Sequence, residues 1–154
     1  MKKVAFLMLI FMMSFSTIQA QQKKSIDLNW KTDMNEAMNL AKSKNKHILI
    51  YFTGTDRSIP CKMLNNDFFY TEKFKKFADK HLVLVRVNSS RIPGLVNSYQ
   101  QEKNIELSRK YDQRIHPTVV LTDANGKKIG AVESYNYLHD TSKYYELINK
   151  AVKN

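Results

Sequence analysis

Tyr51-Phe-Thr-Gly-Thr-Asp-Arg-Ser-Ile-Pro-Cys-Lys62 joins the end of one strong pattern to the start of another. Upstream and overlapping it, His47-Ile-Leu-Ile-Tyr-Phe-Thr53 is a nearly continuous apolar run of strand length, as a strand covered on both faces requires. Gly54 to Pro60 is rich in turn residues and reads as a loop. From Cys61 onward, Leu64, Phe68 and Phe69 suggest a helix, which restarts after Thr71, a cap residue, with Phe74 and Phe77 turned inward. The stretch therefore predicts a central strand, a loop, and a helix whose first turn carries Cys61.

The flanking sequence extends this into a complete order. Asp33-Met-Asn-Glu36 combines an N-cap acid with a glutamate three residues on, and Met34, Ala37, Met38 and Ala41 share one face of a helix running to about Lys44. His81-Leu-Val-Leu-Val-Arg-Val87 reads as a second central strand. Ser89 to Asn104 contains Pro93-Gly94 and few apolar residues in any period, so it is expected to be a loop before a helix around Ile105 to Tyr111. Pro117 to Thr122 and Lys127 to Val132 flank Asp123-Ala-Asn-Gly126 and form a hairpin. A last helix, about Thr141 to Val152, presents Tyr144, Leu147, Ile148 and Ala151 on one face. Alternating strands and helices give parallel pairs through crossovers, and the hairpin must be antiparallel. The fold class is α/β, a mixed central sheet flanked by helices.

At the N-terminus, Lys2 and Lys3 precede an uncharged apolar run from Val4 to about Phe15 and a polar stretch ending in Ile18-Gln-Ala20. That order is a secretory signal peptide, residues 1–20, leaving 21–154 as one domain in the periplasm or secreted. An uncleaved anchor is the competing reading, although a bilayer-spanning helix needs about 20 apolar residues. No cysteine closely follows the run to take a lipid, so no stable membrane insertion is expected after signal cleavage. The chain carries 25 Lys and Arg against 14 Asp and Glu, a formal charge of +11. The lysines are scattered, which suits a solvated surface or an attraction to acidic clients and anionic envelope surfaces. Export argues against nucleic acid as the partner. Cys61 is the one cysteine of the sequence, so no internal disulfide can form. Neither it nor the scattered histidines have metal-ligand spacing, and no metal or cofactor is expected.

The order of elements, the 51–62 stretch, the later Arg114-Ile-His-Pro-Thr-Val-Val120, the Lys110-Tyr111 before it and the Asp-x-x-Gly turn after it resemble the thioredoxin family. The likeness is greatest to exported thioredoxin-like proteins with a Phe-Thr-Gly-x-Asp-Trp-Cys-x-x-Cys-Lys motif, and it runs from about Asn29 to the C-terminus. The resemblance implies a thioredoxin fold and thiol-disulfide exchange, with protein or small-thiol clients. In that family a first cysteine at a helix N-terminus attacks the client disulfide, and a second resolves the mixed disulfide. This sequence has Ser58 at the first position, Arg57 for the preceding tryptophan, and Cys61 at the second. A serine hydroxyl cannot form a disulfide, so the two-cysteine cycle is closed to a monomer. The resemblance makes Cys61 and Ser58 the catalytic positions and puts Arg57, His116, Pro117 and Thr118 along the client groove, with Pro117 as the family's cis-proline. Where many relatives carry a buried acid that manages the second cysteine's proton, this chain has Tyr51, a poor base near neutral pH.

Three readings of Cys61 stand side by side: a half-buried core residue, a monothiol forming mixed disulfides with weak activity, and a metal ligand. His116 is either a solvated loop residue or a proton partner of the thiol. The functional alternatives are monothiol exchange through Cys61 and a redox-inactive module that binds extended polypeptides beside Pro117. A glutathione-transferase-like role conflicts with the chain's size.

Overall fold

A computed structural model describes residues 26–54, 58–89, 94 and 96–153. The signal-peptide reading, the cleavage after Ala20 and the assignment of Arg57 fall outside these residues.

Among the described residues, five strands and five helices follow one another as β1 (Trp30–Lys31), α1 (Met34–Lys44), β2 (His47–Thr53), α2 (Ile59–Leu64), α3 (Glu72–His81), β3 (Leu82–Asn88), α4 (Ser98–Lys110), β4 (Thr118–Thr122), β5 (Lys128–Glu133) and α5 (Ser142–Lys153). A π-helical turn, Asn65–Phe69, continues α2. The sheet order is β1-β3-β2-β4-β5. β1 and β2 run parallel to β3, and β4 runs antiparallel to β2 and β5.

The local signals explain most of these boundaries. Asp33 accepts the Glu36 N–H at 2.7 Å and starts α1, and Thr71 accepts the Phe74 N–H at 3.2 Å and starts α3. Asn45, at φ +50°, ends α1 in the left-handed conformation. The 123–127 turn closes as Asp123 Oδ1 accepts the N–H groups of Asn125 and Lys127, with Gly126 at φ +80°.

Two helices begin earlier than the sequence suggests. α2 starts at Ile59, with Pro60 inside its first turn, where a missing N–H costs nothing. α4 starts at Ser98, so the last part of the expected loop, residues 98–104, is helix. Asn97 caps it by accepting the Gln100 N–H at 2.8 Å. Only Asn104 and Leu107 of α4 are buried, so its apolar stripe is too thin to signal a helix.

β2 is buried along nearly its whole length because alternate residues serve two cores. Leu49 and Tyr51 join Leu64, Phe68, Phe74 and Ile148 on the face covered by α2, α3 and α5. Ile48, Ile50 and Phe52 join Val85, Ala37 and Leu107 on the face covered by α1 and α4. Phe68 is the hub of the first core, with ring centroids 4.7 Å from Phe74 and 5.3 Å from Tyr144. Burying such a side chain contributes about 1.5–3 kcal/mol, and here it fixes the helix that carries Cys61 onto the sheet.

Candidate functional site

The antiparallel register of β2 and β4 sets Thr118 beside Phe52. This brings the residues preceding β4 next to the residues leaving β2. His116–Pro117 is a cis peptide. A Cβ built on Gly54 would lie 3.6 Å from the Ser58 Cβ and 3.9 Å from the His116 Cβ. Gly54 therefore lies beside both the start of α2 and the Pro117 segment, which share one end of the sheet.

The sequence-derived site residues occupy distinct places. Ser58 is the N-cap of α2, half-buried, with no hydrogen bond from its side chain to the helix. Cys61 lies in the first turn, 2 % exposed. Its carbonyl oxygen accepts the Asn65 N–H and, at 3.5 Å, the Tyr51 hydroxyl. Pro117 is buried and its carbonyl accepts the Ser134 N–H at 2.8 Å. Thr118 is wholly buried, and its hydroxyl donates to the Ile115 carbonyl at 2.8 Å. An incoming chain therefore meets neither of those two groups. The N–H and C=O of His116, by contrast, have no hydrogen-bond partner among the described residues. Two exposed apolar side chains flank the site, Ile59 next to Ser58 at 55 % and Ile115 next to His116 at 50 %.

The electrostatics favour neutral groups around the thiol. Burial pushes the Tyr51 phenol far above its ordinary value of 10.0, and the nearby Cys61 pushes the same way, while a hydrogen bond with Thr53 opposes them. Tyr51 is thus a fixed proton donor, not a base. Burial also raises Tyr144, with Tyr135 and Cys61 adding to it. Burial lowers His116 below 6.5, so the imidazole is neutral at neutral pH.

A supporting network escaped the sequence reading. The Tyr144 hydroxyl donates to the Ser134 carbonyl at 2.6 Å, so α5 braces the residue that holds Pro117. Next to it, the Tyr135 hydroxyl donates to Asp67 Oδ2 at 2.8 Å, and His139 Nδ1 lies 2.6 Å from the same oxygen. Asp67 sits in the π-helical turn after Cys61, so the two halves of the site are tied together behind it. No short motif marks these residues, because the pairing spans 68 and 72 positions of sequence.

A mixed sheet of this order, with a helix whose N-cap is Ser58 beside a cis-proline segment, defines the thioredoxin fold class. Residues 34–148 match the thioredoxin-like domain, and the chain belongs to that family. It is 30% identical over 111 residues to the disulfide bond reductase DsbH of Chlamydia pneumoniae, a match covering 72% of this chain and 66% of that protein. It is 23% identical over 128 residues to the thioredoxin-related protein DsbJ of the same organism, covering 82% of this chain. The chain spans 66% and 36% of the lengths of these two curated relatives. Among solved structures, a DsbH oxidoreductase is similar with a TM-score of 0.69 and 26% identity, over 88% of this chain and 91% of that one. A thioredoxin from Thermus thermophilus shares the fold, with a TM-score of 0.62 at 16% identity over 82% and 88% of the two chains. No helix among the described residues is long and apolar enough to cross a membrane.

Proposed function

We propose that this is an exported protein of the thiol-disulfide exchange class, acting on polypeptide or small-thiol clients, with weak activity carried by Cys61 alone. Export rests on the order of residues 2–20, a charged start, a short apolar run and Ala20. The single observation that carries the exchange reading is the position of Cys61 in the first turn of α2, on the end of the sheet where Ser58 and the cis His116–Pro117 segment meet. In one turnover the Cys61 thiolate attacks a client disulfide, forms a mixed disulfide and releases one client thiolate. Ser58 cannot attack the mixed disulfide, so a second thiol, from a small molecule or another protein, must release the product.

The burial of Cys61 favours a second reading, a redox-inactive module. The N–H and C=O of His116, without a partner among the described residues, would then pair with an extended polypeptide as an added strand does. The two readings separate in one experiment. The purified protein is incubated with a peptide carrying an activated mixed disulfide, and the adduct is measured by intact mass beside Cys61→Ser. A slow wild-type adduct, absent from Cys61→Ser, supports monothiol exchange. Peptide binding without any adduct, equal in both proteins, supports the module and rejects exchange. Disulfide reductase turnover matching a two-cysteine thioredoxin would contradict both.

A further inference from the structure

His116 has a second side. It lines a recess of about 380 Å³ together with Ser89, Ser108, Arg109, Asp112, Gln113 and Arg114, so one carboxylate already faces the two arginines there. The Ser89 N–H donates to the Thr53 carbonyl at 3.0 Å, which fixes this wall to the end of β2, one residue from Gly54. The recess and the Ser58–Cys61 face therefore adjoin, with His116 between them.

We infer that this recess receives an acidic side chain of the client, so that the protein prefers extended polypeptides with a glutamate or aspartate near the segment held at His116. This rests on the proposed binding of polypeptides beside Pro117 and names the class of client that site would take. Arg109 has no ion-pair partner among the described residues. Arg114 has only Asp112, at 3.3 Å, and both side chains of that pair are more than four-fifths exposed. An exposed pair of this kind is weak, so Arg114 exchanges Asp112 for a client carboxylate at little cost. His116, neutral at neutral pH, adds no charge of its own to the attraction, but its ring N–H can donate a hydrogen bond to a carboxylate. The net positive charge, +11 over the full sequence and 11 − 2 = +9 without Lys2 and Lys3 of residues 1–20, draws acidic segments toward the surface, while the two arginines give the attraction a position.

The test uses two fluorescein-labelled nonapeptides without cysteine, alike except for glutamates or glutamines at both ends. Fluorescence anisotropy gives their affinities for the whole protein, for Arg109→Gln/Arg114→Gln, and for the distant Lys150→Gln, each at low and at physiological salt. The glutamate peptide is expected to bind about three- to tenfold more tightly to the wild type. That preference should fall to near parity in the arginine variant, survive in Lys150→Gln, and shrink as salt screens it. A preference that persists in the arginine variant, or falls equally in Lys150→Gln, overturns the inference and assigns the attraction to net charge. Equal binding of both peptides to the wild type also overturns it, while leaving polypeptide binding beside Pro117 intact. If neither peptide binds, the inference fails together with the reading beneath it.

Discussion

The Tyr51 hydroxyl reaches the carbonyl oxygen of Cys61 at 3.5 Å, from a strand position where many thioredoxins carry an acid. A long hydrogen bond of this kind is weak, and the carbonyl keeps its Asn65 N–H in any case. Burial holds the phenol protonated, so Tyr51 cannot act as the base that takes the Cys61 proton. Tyr51→Phe should therefore cost less than about 1 kcal/mol. It should also leave the pH dependence of Cys61 alkylation unchanged, as measured with a small maleimide. A displaced alkylation profile would mean that the phenol does couple to the thiol.

His116 makes stability depend on pH. Burial lowers its folded pKa below the ordinary 6.5, so the unfolded chain binds more protons between those two values. Stability is then complete above about 6.5 and declines as the pH falls through that window. His81 is lowered too, by burial and by the neighbouring Lys80 and Lys46, and acts in the same direction. His116→Gln retains the His81 contribution and should show a smaller loss of Tm between pH 7 and pH 5 than the wild type. Equal losses in the two proteins would remove His116 from the account.

Behind the site, Tyr144 donates to the Ser134 carbonyl while the Ser134 N–H holds the Pro117 carbonyl. Tyr144→Phe keeps the ring packed on Phe68 and removes only the hydroxyl. The expected loss is about 1 kcal/mol, from one hydrogen bond, seen as a lower midpoint in urea with an unchanged slope. Because the change reaches Pro117 through Ser134, amide exchange at Ser134 should also accelerate. Unaltered exchange there would show that the brace does not extend to the Pro117 segment.

The elements that carry the site were legible because their signals are local. The apolar run 47–53, the caps at Asp33 and Thr71, and the 123–126 turn each sit within a few residues of what they determine. The first half of α4 was not legible, since the helix is secured by polar contacts. Asn104, buried, donates to the Asn88 carbonyl at 2.8 Å, a role no apolar periodicity reveals. β1 is two residues long and exists through its pairing with Leu84 and Val85. At the site, the sequence supplied Ser58, Cys61, His116 and Pro117 through a family resemblance, and the sheet register brings their segments together. It did not supply Asp67, Tyr135, His139, Ser134 or Tyr144, whose roles arise from contacts between distant segments. Thr118 was legible as a position but not as an enclosed side chain, because burial depends on both neighbouring strands.

The central claim is that α2 retains a thioredoxin-type active-site geometry from which one thiol is missing. Ser58 caps the helix and Cys61 occupies its first turn, three residues on. Residues three apart on a helix face are neighbours, within the Cα separation of roughly 4.4–6.8 Å that a disulfide spans. The most direct measurement is free-thiol titration of Ser58→Cys before and after mild oxidation, followed by a disulfide reductase assay. Two thiols should disappear together on oxidation and return on reduction, and reductase turnover should rise above the wild-type level. If both thiols stay free and titrate independently after oxidation, the proposed geometry at the start of α2 is contradicted.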